Sequence, residues 1–118
     1  MDTDFSLLEK WYRQQCNGDW EHAWGIKIET LDNPGWKIAI NLNETRAEHR
    51  ILQRVRIQRL EDDWILYWVE EKAFHAACGP LNLSETIRIF VDWFESHRMF
   101  TRPFRWFIDR GARRRVSF

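Results

Sequence analysis

The sequence predicts an α+β fold: an N-terminal helix, a four- to five-stranded antiparallel β-meander, a C-terminal helix and a basic, aromatic tail. Three observations predict it. Two stretches flanking a Pro-Gly pair alternate apolar with polar residues. Further alternating segments follow in succession, and apolar residues at helical spacing stand before and after the whole strand region.

The first helix is expected from about Asp4 to Gln15, with Leu8, Trp11 and Tyr12 as its apolar stripe and Phe5 one turn earlier. Ser6 with Glu9 has capping-box spacing, Asp4 competes as the cap, and Asn17-Gly18 supplies a stop. In Trp24–Leu31, Trp24, Ile26 and Ile28 share a face; in Trp36–Leu42, Trp36, Ile38, Ile40 and Leu42 do. That period of two marks strands. Between them Pro34 sets φ at the first corner of a turn and Gly35 accepts positive φ at the second, so a hairpin is expected.

Residues 43–50 are polar and read as a loop. Ile51 to Leu60 resumes alternation, with Val55 and Ile57 inward and Arg54, Arg56 and Gln58 outward. After a turn at Glu61-Asp62-Asp63, Trp64–Val69 is apolar on both faces, as expected of a strand covered on both sides. Phe74, Ala76 and Cys78 mark a short fifth strand ending at Gly79-Pro80. The second helix is expected from about Leu83 to His97, started by Asn82 with Glu85 and buried through Leu83, Ile87, Phe90, Val91 and Phe94.

A chain of 118 residues fits one domain, expected over residues 1–97, with 98–118 as an Arg/aromatic extension that either docks on the body or stays partly disordered. Eight Trp and eight Phe supply a core despite 31% charged residues. Net charge is zero but divided: residues 98–118 carry seven Arg against Asp109, so an acidic body bears a basic tail. Pro103, Phe104, Trp106, Phe107 and Ile108 are apolar enough to lie over the bare face of the Trp64–Val69 strand. No apolar run approaches the roughly 20 residues of a membrane span, and the start Met1-Asp2-Thr3-Asp4 lacks a secretory signal's basic region, so a cytoplasmic protein is expected. In that compartment Cys16 and Cys78 are expected as reduced, mostly buried thiols. The aromatic content leaves room for a homodimer.

Asp19-Trp20-Glu21-His22 is the densest polar group. Asp19, Glu21 and His22 could hold a metal or form an acid/base pair, but their spacing matches no usual zinc arrangement. The plainer reading is that they cap, hydrogen-bond the turn and face a partner. Glycine-rich phosphate loops and Gly-x-Ser-x-Gly elbows are absent, so no catalytic residue, metal or cofactor is expected. His49 and His97 read as surface histidines, and His75 as marking the solvent side of its strand. Arg interleaved with rings in the tail would suit nucleic acid, but the acidic body and zero total charge argue against it.

The block Trp11-Tyr12, Cys16-Asn17-Gly18-Asp19-Trp20-Glu21-His22, Gly25-Ile26, Ile28, Thr30-Leu31-Asp32-Asn33-Pro34-Gly35-Trp36 resembles the bacterial immunity protein 53 family, as does Cys78-Gly79-Pro80-Leu81-Asn82-Leu83 followed by an aromatic helix with Phe90, Trp93 and Phe94. The similarity spans about residues 5–97 and leaves out Arg98 to Phe118. It implies a small inhibitor in a polymorphic toxin system, with a cognate toxin domain as partner and no catalytic residues. Asp19, Glu21, His22, Glu29 and Asp32 are the expected partner-binding residues, an acidic set suited to a toxin with a basic, nucleic-acid-cleaving site.

Overall fold

The computed structural model describes residues 3–100, with side chains through Ser96. Helix α1 (Asp4–Gln15) is followed by a single turn of helix, α2 (Trp20–Ala23). Strands β1 (Ile26–Leu31), β2 (Gly35–Asn41), β3 (Leu52–Leu60), β4 (Asp63–Glu70) and β5 (Ala73–Cys78) precede α3 (Leu83–Phe100). This is the α+β arrangement expected. The tail beyond Phe100 lies outside the described residues, and so does its docking over the Trp64–Val69 strand.

All five strands are antiparallel, in the order β1-β2-β5-β4-β3. A plain meander would place β3 beside β2; instead the connection across residues 42–51 carries the chain to the far edge, and β5 fills the centre. The reason lies in side-chain size and burial. β5 offers Phe74, Ala76 and Cys78, each at most 1% exposed, to a face shared with Ile38 and Ile40 on one side and Ile65 and Val69 on the other. A strand this apolar gains most in the middle.

Both long helices lie on that face. α3 buries Ile87, Phe90, Val91 and Phe94, while α1 buries Leu8 and Trp11. Trp11 is the hub: Trp20, Phe90 and Phe94 stand edge-on to it at 5.9, 5.0 and 5.5 Å. Such T-shaped contacts contribute about 0.5–1.5 kcal/mol each beyond area burial. On the other face, Trp64, Leu66 and Trp68 of β4 are half-buried, and no described helix or strand lies over them. The cover expected on this face is the tail, whose residues beyond Phe100 lie outside those described. Arg54 roofs Trp68 at 4.1 Å and His75 stacks on it at 5.4 Å, which shields a large ring without a second layer.

Local signals also differ in detail. Thr3, not Ser6 or Asp4, caps α1: its Oγ1 accepts the Ser6 N–H at 3.0 Å, and Ser6 Oγ donates back to the Thr3 carbonyl. The first hairpin turns at Asp32-Asn33-Pro34, one residue early, and Gly35 already belongs to β2 without positive φ. Glycine is required there by crowding, since a Cβ would strike the Cys78 carbonyl. Asn82 forms no capping box with Glu85. Its side chain accepts the Trp64 N–H and donates to Asp63, while Glu85 takes Arg59. Cys78 is buried, Cys16 is half-buried, and both are free thiols.

Candidate partner-binding surface

The residues that the sequence singles out are distributed by α2, β1 and the first hairpin turn. The chain leaves α1 at Cys16 and needs a reversal, which Gly18 provides with φ of 97°. Asn17 Oδ1 then accepts the N–H groups of Asp19 and Trp20 at 2.9 Å, so Asn17-Gly18 opens α2 as much as it closes α1. α2 exists because Trp20 is an anchor. Its ring is 1% exposed, lies against Trp11 and Tyr12, and donates its indole N–H to the Asn43 carbonyl at 2.9 Å.

Glu21 turns back on this loop. Its carboxylate accepts the Asn17 and Gly18 N–H groups at 2.9 and 2.8 Å. Its own backbone N–H and these two hold the carboxyl below the usual glutamate range, against a smaller opposing effect of burial. These donors already occupy the group that an acid/base or metal reading would need free. Asp19, the N-cap residue of α2, and His22 within it are exposed, and Asp19 makes no side-chain cap bond. Among the described residues, no group of three His, Cys, Asp or Glu is placed to hold a metal ion.

Ile26 and Ile28 of β1 face the helices, so Glu29 faces the other side, directly across from Lys37. Asp32 lies at the hairpin tip. The six residues of β1 separate it from α2 by about 20 Å at about 3.3 Å per residue. The structure thus brings Asp19, Glu21 and His22 together at one end, Asp32 at the other, and Glu29 between. They form one flank of the sheet and no compact cluster.

A second feature was not singled out from sequence. Because β5 lies between β2 and β4, the first hairpin turn and the β3–β4 turn meet at one end of the sheet. Asn33, Pro34, Glu61, Asp62, Trp64 and Pro80 line an open cleft there of about 480 Å³. Leu81 (92% exposed) and Leu60 (67%) stand near it in sequence, unusually bare for their type. The rim is stiff. Trp36 donates its indole N–H to Pro80, and Arg59 bridges Asp63 and Glu85 at 2.9 and 2.6 Å, which holds the Asp63 carboxyl below its usual range. Glu61-Asp62 reads from sequence only as a turn; the signal that it belongs to a surface is the strand order, which local periodicity does not carry.

No described helix is long and apolar enough to cross a membrane. Comparison with curated proteins and with solved structures returns no match. Residues 5–95 match the family model described as immunity protein 53, which takes in α1, α2, every strand and most of α3. On that match the chain belongs to the immunity protein 53 family.

Proposed function

We propose that this protein binds a cognate bacterial toxin domain in the cytoplasm of the producing cell and neutralises it by protein–protein contact, without catalysis of its own. Family membership carries the reading. The surface supports it: an inhibitor gains from groups that are already in place before the partner arrives. Asp19, Glu21, His22, Glu29 and Asp32 along the β1 flank are the proposed partner-binding residues. Glu61 and Asp62 extend the acidic surface around the hairpin end, and Leu81 and Leu60 offer apolar anchors there. Among the described residues no ion pair engages Asp19, Glu29, Asp32, Glu61 or Asp62, so these carboxylates are free to meet a basic partner. A toxin with a basic, nucleic-acid-cleaving site fits this charge, which would also accelerate encounter.

The test is co-expression with the toxin domain encoded beside the gene. Growth should be rescued, and the two proteins should copurify as a complex. Failure to bind any neighbouring toxin would overturn the reading.

A further inference from the structure

The sheet ends in two unlike edges. β3 carries Arg54, Arg56 and Arg59 and two register shifts, devices that discourage an edge from pairing. β1 has no such shift. Its register with β2 runs unbroken from Ile26 to Leu31, and no described strand pairs with its other side. Beside this open edge runs a groove of about 420 Å³ lined by Phe5, Leu8, Tyr12, Trp24 and Ile26, with Glu9 the only charged lining residue among those described. Phe5 and Tyr12 are 46% and 40% exposed. The indole N–H of Trp24 is buried with no hydrogen-bond partner among the described residues, as are those of Trp11 and Trp68. An open strand edge next to an apolar groove suits an extended peptide. Its main chain bonds the edge, and alternate side chains enter the groove.

We propose that the chain's own C-terminal segment occupies this site, with Phe104, Trp106 and Ile108 directed into the groove as an added strand on β1. Phe104-Arg105-Trp106-Phe107-Ile108 places three large apolar residues on one face at the strand period. Position favours it. Asp4 meets Arg88 and Trp11 meets Phe94, so α1 and α3 run in the same direction and α3 ends beside the C-terminal end of α1. That is the Tyr12–Trp24 end of the groove. The four residues from Phe100 to Phe104 span about 13 Å, against about 10 Å to pass the end of one helix. Residues 101–118 reach about 60 Å in all.

Charge chooses between this groove and the uncovered sheet face. That face carries Lys27, Lys37, Arg54 and Arg56 against Glu29 and Glu70, a net positive charge that repels a tail bearing seven Arg from 98 onward. The groove instead has Glu9 in its lining, and Asp19 at the N-cap of α2 and Glu21 within it lie just before Trp24. The inference concerns the chain alone and stands whether or not the toxin reading holds.

Hydrogen exchange on the full chain tests it, with the full-length variant Phe104→Asp/Trp106→Asp/Ile108→Asp as comparison. These substitutions lie outside the described fold, so β5 amides should exchange alike in both proteins. The edge-facing amides of β1 should be protected in the parent and exchange at least about tenfold faster in the variant. The single substitution Trp106→Gly should give a smaller change of the same sign. Equal β1 exchange in parent and variants would overturn the proposal. So would loss of the parent's β1 protection on dilution, which would put a second copy on the edge, or a change confined to β4.

Discussion

Trp20 stands edge-on to Trp11, with ring centroids 5.9 Å apart and planes at 84°, and it reaches across 23 residues to donate its indole N–H to Asn43. This pair joins the loop after α1 to the connection after β2. Replacing Trp20 with Ala removes the ring and leaves a cavity beside Trp11, a loss of about 3–5 kcal/mol. Trp20→Phe keeps most of the packing but leaves the Asn43 carbonyl unpaired, at about 1–2 kcal/mol. Urea denaturation of the two variants should therefore show a large and a modest fall in midpoint, at similar slope.

Glu21 predicts a pH effect. Its carboxyl is held below the ordinary value of 4.5 by backbone N–H groups that the unfolded chain cannot assemble. A group with a depressed folded pKa contributes stability above its unfolded pKa and loses it as pH falls through the folded value. The parent should thus lose stability as pH drops below about 4.5, the ordinary glutamate value. Glu21→Gln should be less stable at neutral pH and show a flatter acid limb. Thermal melts of both proteins between pH 7 and pH 3 check this. Equal slopes would mean that the carboxylate does not hold the loop.

The β4–β5 hairpin carries an avoidable cost. Glu71 and Lys72 form its two-residue turn with φ of 52° and 60°, a left-handed geometry that suits Asn-Gly far better. The double substitution Glu71→Asn/Lys72→Gly should raise stability by about 1 kcal/mol, even after losing the exposed contact of Lys72 with Glu48. Gly35 is the converse case. Gly35→Ala drives a Cβ into the Cys78 carbonyl of the adjoining strand and should cost about 1–3 kcal/mol in the same denaturation assay.

These sites show what the sequence carries and where local reasoning stops. The strands were legible because Ile26/Ile28 and Ile38/Ile40 repeat at period two and one face is buried. α1 was legible through Leu8 and Trp11. Strand order was not, because no local feature tells β2 to pair with β5 rather than β3; the wholly apolar inner face of Phe74, Ala76 and Cys78 hints at a central strand, but only after pairing is known. The Glu71-Lys72 turn lacked its usual residues, and α2 was hidden because four residues hold too little periodicity. The Asp19–His22 group was visible as chemistry. Its division into a loop-holding Glu21 and exposed Asp19 and His22 depended on backbone geometry that composition does not encode.

The proposed partner surface divides into two ends, and charge reversal can separate their contributions. Asp32→Lys/Asp62→Lys alters the hairpin end, and Asp19→Lys alters the α2 end; all three residues are exposed and without ion pairs among those described. None supports the core, so stability should change by no more than about 0.5 kcal/mol. If the hairpin end meets a basic toxin, the double variant should bind at least about tenfold more weakly, chiefly through slower association, with a shallower dependence on salt. Leu81→Asp should raise the dissociation rate instead, because an apolar anchor acts after encounter. Surface-bound kinetics with the cognate toxin at two ionic strengths would separate these outcomes. Unchanged binding by the hairpin-end variants, with loss only in Asp19→Lys, would move the contact to α2.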